Sequence, residues 1–215
     1  MTKFATLIHD ARKFHSTLAE NNNKDWWADN KETYETTLKA PALDLLETVK
    51  PKLEEIAKLP VRPKLFRPYR DVRFSKDKTP YKTQLHMLWA LQTTARQNPV
   101  FFFGIGLDYV SAGAGIMVLD KPVLEDWRKF ADLDTDRVLG ITETLKSKSY
   151  RFREPALKRV PPPYAKDHKA SELLRMKGVV ASRDIGQPDD LVDAILQAFT
   201  DLAPLNALLL QAAEA

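Results

Sequence analysis

Apolar positions recur every three to four residues at the two ends of the chain and every second residue in its middle. The first pattern places one stripe of side chains on a helix and the second places one face of a strand against a core. Phe4, Leu7, Ile8, Ala11, Phe14 and Leu18 form such a stripe, with Lys3, Asp10, Arg12 and Lys13 off it, so the spacing predicts an amphipathic helix over 3–19. Asn21, Asn22 and Asn23 interrupt it and offer an N-cap for a second helix from Asp25 to about Leu38, with Trp27, Tyr34 and Leu38 along one side. Trp26 and Trp27 cannot share a helix face, so one packs and the other lies at an edge or a pocket rim. Pro41 suits the first turn of a third helix, and Pro60 and Pro63 end it.

Alternation then takes over. Phe66, Pro68, Arg70, Val72 and Phe74 fall on one face of a predicted strand over 66–74, and Arg67, Tyr69, Asp71 and Arg73 on the other. Ser75 to Pro80 reads as a turn-rich loop, and 81–91 returns as a half-buried strand with Leu85, Met87, Trp89 and Leu91 on one side and Lys82, Gln84 and His86 on the other. The apolar runs 100–109 and 113–119 predict two more strands of a meander. Gly104, Gly106, Gly113 and Gly115 in these runs match no phosphate-loop spacing and read as bulges or points of close backbone approach. Helices are expected to begin with the run Lys121 to Trp127, at 132–145, at 170–175 and from Asp189 or Asp190 to about Leu210, and an edge strand at 179–181. The class is α+β: one domain over 1–215, with a helical part at about 3–59, a mainly antiparallel sheet of four to six strands centred on 65–119, and a helical, basic part at about 121–210.

Composition narrows the chemistry. The 215 residues include no cysteine, which excludes disulfides, thiolate metal sites and a cysteine nucleophile. The first 20 residues lack the apolar core of a signal peptide and no window approaches a membrane span, so a cytoplasmic protein without membrane contact is expected. The formal charge of +4 is unevenly distributed: 60–83 carries +6 and 146–177 carries +7, which leaves −9 on everything else. Positive charge gathered in two windows favours anionic partners.

The four histidines show no metal-ligand spacing, so no metal and no cofactor are expected. No GxSxG or SxxK nucleophile motif is present, and Asp71 and Asp77 sit among cations that keep them ionised, which disfavours a glycosidase-like carboxylate pair. Anion recognition remains. Arg67, Arg70, Arg73, Lys76, Lys78 and Lys82 supply forked and flexible donors within one hairpin, with Asp71, Ser75 and Tyr81 to orient them. Lys158, Arg159 and His168 are the candidates of the second window. Arg70, placed by alternation beside Val72 and Phe74, must be paired or sit on a bulged strand. His168 follows Asp167, but neighbours in sequence do not orient one another as a dyad does, so a capping role competes with that of a base.

Asn22-Asn23-Lys24-Asp25-Trp26-Trp27 with Lys31 and Tyr34, the run from Arg70 to Lys82 (RDVRFSKDKTPYK), Leu157-Lys158-Arg159 and Asp167-His168 together resemble an uncharacterised family of bacterial and fungal proteins, domain of unknown function family twenty-four sixty-one. The resemblance covers about residues 4–200 and implies a single domain. It brings no activity, cofactor or catalytic residue with it. Pro68 stands where the family usually has an aliphatic residue and Trp27 where it usually has Phe.

Three functions fit this reading. The first is a pocket between sheet and helices that binds a small phosphate- or carboxylate-bearing molecule through the hairpin, with or without catalysis; its discriminating feature is convergence of Arg67, Arg73, Lys76 and Lys82 with Lys158, Arg159 or His168 on one concavity. The second is a nucleic-acid-binding module with Tyr69, Tyr81 and Tyr150 available for stacking. The third is an interaction or scaffold protein whose motif is a salt-bridge network to Glu32, Glu35, Asp44 or Glu54. The sequence is silent on oligomeric state. The first is favoured, because the motif mixes Asp, Ser, Thr and Tyr with its cations.

Overall fold

A computed structural model of the chain describes residues 3–215. Six strands, β1 (Val61–Leu65), β2 (Leu85–Leu91), β3 (Val100–Ile105), β4 (Val110–Ile116), β5 (Arg151–Phe152) and β6 (Val179–Asp184), form one antiparallel sheet in the order β1-β2-β3-β4-β6-β5. Around it lie α1 (Leu7–Glu20), α2 (Lys24–Thr33), a π-helical segment Tyr34–Lys39, α3 (Ala40–Ala57), α4 (Lys121–Leu133), α5 (Thr135–Ser147), α6 (Ser171–Leu174) and α7 (Leu191–Glu214). The expected α+β class with flanking helices is what the chain adopts. No helix among the described residues is long and apolar enough to cross a membrane.

The first strand lies earlier than alternation predicts. It is 61–65, paired with 87–91, and 66–74 is not a strand. Pro63 is compatible with β1 because the strand is an edge. Phe66 N–H donates to His86 O, so by the period of two Arg62 and Lys64 also face β2 and Pro63 faces outward, where no donor is needed. Pro68 is where regular pairing lapses. Beyond it, an isolated bridge joins Tyr69 to Tyr81, held by Arg70 N–H to Pro80 O (2.8 Å) and Lys82 N–H to Pro68 O (2.7 Å). The other correction concerns 179–184, which is an interior strand between β4 and the short β5, not an edge.

α2, the π segment and α3 follow one another without a break, where two separate helices were expected. Thr36 and Thr37 hydroxyls donate to Glu32 O and Thr33 O, diverting carbonyls from the regular ladder at the point where the helix widens. Asn23 caps α2 by accepting from Asp25 and Trp26 N–H, and Asp190 caps α7 by accepting from Asp193 N–H.

Leu85, Met87, Trp89 and Leu91 on β2 and Phe101, Phe103 and Ile105 on β3 face α3 and α7. Trp89 donates from Nε1 to Leu46 O, and its ring and that of Phe101 meet Phe199. The opposite face has three rows defined by register. One runs Arg62, Ala90, Val100, Gly115, Val180; the next runs Lys64, Leu88, Phe102, Gly113, Ser182, Arg151; the third runs Phe66, His86, Gly104, Ser111, Asp184. Leu88, Ala90, Val100 and Phe102 are part-exposed there. The glycines admit close neighbours. A Cβ on Gly113 would meet Phe102 Cζ at 2.2 Å, and one on Gly115, whose φ is +136°, would meet Val179 O at 2.0 Å.

Candidate functional site

The hairpin 66–84 stands on the α1–α2 turn. Asn22 accepts from Tyr81 N–H at 3.0 Å and donates to Tyr81 O at 2.9 Å, so one side chain completes the strand-like pairing that Tyr81 lacks on that side. Tyr81 is buried and its ring stacks on Trp27 (4.3 Å between centroids, 12° between planes). It is therefore a packing residue. Asn22→Ala strips the Tyr81 peptide of both partners and is expected to lower stability by about 1–3 kcal/mol in a chemical denaturation curve.

Two of the hairpin arginines are consumed within the loop. Arg70 Nη1 contacts both Asp77 Oδ2 and Thr79 Oγ1, while Asp77 Oδ1 accepts from Thr79 N–H and its hydroxyl. The Arg70 guanidinium and the Thr79 donors hold the Asp77 carboxyl down at about 2. Arg73 makes a forked contact with Asp71 through Nε at 3.0 Å and Nη2 at 2.7 Å, which lowers the Asp71 carboxyl in turn. Lys78 donates to Val72 O and Lys82 to Arg67 O, and Ser75 N–H donates to Val72 O. Arg70 is paired by a carboxylate of the loop itself, although the apolar strand face on which alternation placed it does not form. The helical acids take other partners: Glu35 binds Lys39, Asp44 binds Lys3, and Glu54 accepts from Val61 N–H. Lys76 is exposed and Arg67 is exposed, and neither side chain has an ion pair among the described residues.

Arg67 borders a groove of about 360 Å³ between the hairpin root and the widened helix. Trp27, Tyr34 and Tyr69 form its aromatic wall, with ring centroids 5.0 Å apart for Trp27 and Tyr34 and 5.9 Å for Trp27 and Tyr69. Leu43, Leu65, Phe66 and Pro68 supply apolar surface, and Glu35 and Lys39 close one end as a pair. Trp27 Nε1 is buried and has no acceptor, which is unusual for an indole donor. The Tyr34 hydroxyl also lacks a partner, and burial, then Glu35 and Tyr69, push its pKa up to about 12, so it stays a neutral donor. Tyr34, Glu35 and Lys39 all belong to the π segment, a distortion that recurs at functional sites.

A second hollow of about 410 Å³ on the other side of the hairpin is bordered by Asn22, Arg70, Asp77, Lys82 and Gln84. A third and larger one, about 660 Å³, lies over the exposed face of the sheet and includes His86, Phe102, Tyr109, Ser111, Arg151 and Ser182. There His86 Nε2 and the Tyr109 hydroxyl lie 2.7 Å apart, and Tyr109 reaches Gln84 Oε1 at 3.3 Å. Burial, then Lys82, lower the His86 pKa. None of the residues bordering this hollow stands out as a candidate in the sequence, because the arginine and serines come from three distant segments.

The two basic windows do not converge. Lys158 and Arg159 border a separate hollow with Lys166, Ser171 and Arg175, beyond the opposite edge of the sheet. His168 serves as a cap: Nδ1 accepts from Ala170 N–H, which leaves Nε2 as the donor to Asp132 Oδ1 at 3.1 Å on α4. Its carboxylate partner is Asp132 and not the adjacent Asp167. Among the described residues no group of three His, Asp or Glu side chains is placed to hold a metal ion.

Compared with known families, residues 10–207 match the one described as Conserved hypothetical protein (DUF2461). No curated protein matches the chain.

Proposed function

We propose that this chain, which belongs to the conserved hypothetical protein family DUF2461, binds a small organic anion, a carboxylate or phosphate on an apolar body, in the groove between the hairpin root and the π segment. The observation that carries the reading is an unpaired Arg67 at the mouth of a groove whose wall holds two donors without acceptors, Trp27 Nε1–H and the Tyr34 hydroxyl. A buried indole N–H normally has a partner, so a vacant one, with an unbonded Tyr34 hydroxyl and a guanidinium without an ion pair beside it, favours an acceptor-rich guest. Leu43, Leu65, Phe66 and Pro68 offer the contact area that gives a small ligand its affinity. Arg70, Arg73, Asp71 and Asp77 then act as the brace that sets the loop, and Arg67 as the recognition group. No reaction is proposed: the carboxylate and the ammonium that border the groove, Glu35 and Lys39, are paired with each other.

The test is a thermal-shift and calorimetric screen of the intact chain against short fatty and aromatic carboxylates and their phosphate esters. Binders are expected to raise the melting temperature and to quench tryptophan emission, and Arg67→Ala to weaken them about tenfold or more, with Tyr34→Phe weakening them less. The absence of any binder in such a panel, or equal affinity for Arg67→Ala, would refute the assignment.

A further inference from the structure

We infer that the exposed face of the sheet binds single-stranded nucleic acid, a role that goes beyond the groove and shares only Phe66 with it. Lys64 and Arg151 are the two ends of one row across all six strands, and Arg62 opens the neighbouring row, which Arg153 closes through its N–H to Val180 O. Five strand spacings of about 4.8 Å put the paired ends about 24 Å apart. A small ligand cannot touch both edges. A strand of about four nucleotides or more can, and that length falls within the sites of other single-strand binders.

Between the cations the face is apolar and low. Phe102 is part-exposed at its centre, with its ring reaching over Gly113, and Phe66 lies at the β1 side with the Lys64 and Lys82 ammonium groups 5.3 and 5.7 Å from its centroid. Glycine at 104 and 113 lets the rings of His86 and Phe102 lie down over the sheet, since a Cβ at either position would meet them at 2.5 and 2.2 Å. Every base has a π-face, so aromatic rings flanked by cations bind single strands with little regard to sequence.

The charges fit a polyanion. Within the strands the only carboxylate is Asp184, and it is engaged in its own turn, with Oδ2 accepting from Val110 N–H and Oδ1 from Gly186 N–H. The Arg62, Lys64 and Arg151 side chains have no acid partner among the described residues, and Arg153 contacts only the carbonyl and sulfur of Met117. Serine hydroxyls at 111 and 182 are likewise without protein partners in the cavity and suit phosphate or sugar oxygens. An acidic peptide would meet the same cations but gain nothing from the rings.

The experiment is fluorescence anisotropy of the full chain with labelled oligo-dT and oligo-U of about 12 nucleotides, at about 50 and about 200 mM salt. Saturable binding is expected, weakening steeply with salt, with unlabelled single strand competing and duplex of equal length or polyglutamate competing at least tenfold less well. Phe102→Ala is expected to weaken binding at least fivefold, with Phe102→Tyr restoring it and circular dichroism confirming that both variants fold. The double variant Lys64→Ala/Arg151→Ala should flatten the salt dependence by about two contacts. Arg67→Ala should change nothing, which separates this face from the groove. No saturable binding at the lower salt, equal competition by duplex or polyglutamate, or a folded Phe102→Ala that binds like the parent would each overturn the inference.

Discussion

Replacing Trp27 by alanine is expected to cost about 3–5 kcal/mol, the largest loss of any single change around the groove. For a chain of this length that is a fall of roughly 10–15 °C in melting temperature. The reason is the number of elements that meet on one ring. Trp27 is 4% exposed and touches Phe14 of α1, Tyr34 of the π segment, and both Tyr69 and Tyr81 of the hairpin. Alanine leaves a cavity that helices fixed by their own cores cannot close, and it removes the surface against which the 69–81 bridge is seated. Any thermal shift from a groove ligand should disappear with it. Trp27→Phe separates the two roles. Phenylalanine keeps most of the ring contacts and removes a buried N–H that has no acceptor, so stability should change far less. If that N–H is a ligand donor, affinity in the same screen should fall several-fold while the protein stays folded. Differential scanning fluorimetry of both variants, with and without a binder from the parent screen, distinguishes the outcomes.

The residues explain why some of this was legible in the sequence and some was not. α1 was readable because six apolar residues at helical spacing describe one stripe, and burial of Leu7, Ile8, Ala11, Phe14 and Leu18 follows it. The faces of β2 were readable for the same reason at a period of two. Trp26 and Trp27 divided as their adjacency required: Trp27 is buried, and Trp26 is half-buried at the border of another hollow. The hairpin was misread because alternation continues through 66–74 although Pro68 interrupts the ladder, and β1 was missed because Pro60 and Pro63 read as breakers. An edge strand tolerates proline at every second position, a fact that only the pairing partner reveals. The anion site was half legible. Charge density pointed to the hairpin, but charge alone does not separate Arg67, without an ion pair, from Arg70 and Arg73, tied to carboxylates seven and two residues away within the same loop. Unlike either, the face bearing Arg62, Lys64, Phe102 and Arg151 exists only once strands distant in sequence are placed side by side.

The other large effect lies in α1 and is one of pH. His15 is 2% exposed, its Nδ1 has no partner, and burial followed by the nearby His86 pushes its pKa down from 6.5 to about 4. A folded-state pKa below that of the unfolded chain means that the unfolded chain takes up the proton first. The stability that rests on a neutral His15 is therefore complete above about pH 6.5, declines as pH falls, and is lost once pH passes the folded value near 4. At about 1.4 kcal/mol per pKa unit the full loss is about 3 kcal/mol, with about 2 kcal/mol already gone at pH 5. His86, shifted in the same direction, adds to the slope. The paired carboxylates act in a lower window, since Asp71 and Asp77 are held below their ordinary value and protonate only after His15 has done so. Urea denaturation at intervals between pH 7.5 and pH 4.5 should thus show a steady decline in the parent and a much flatter one in His15→Leu. A parent whose stability is level across that range, or a His15→Leu variant that declines just as steeply, would mean that this imidazole finds a partner or water on protonation and that α1 is not sealed against the core.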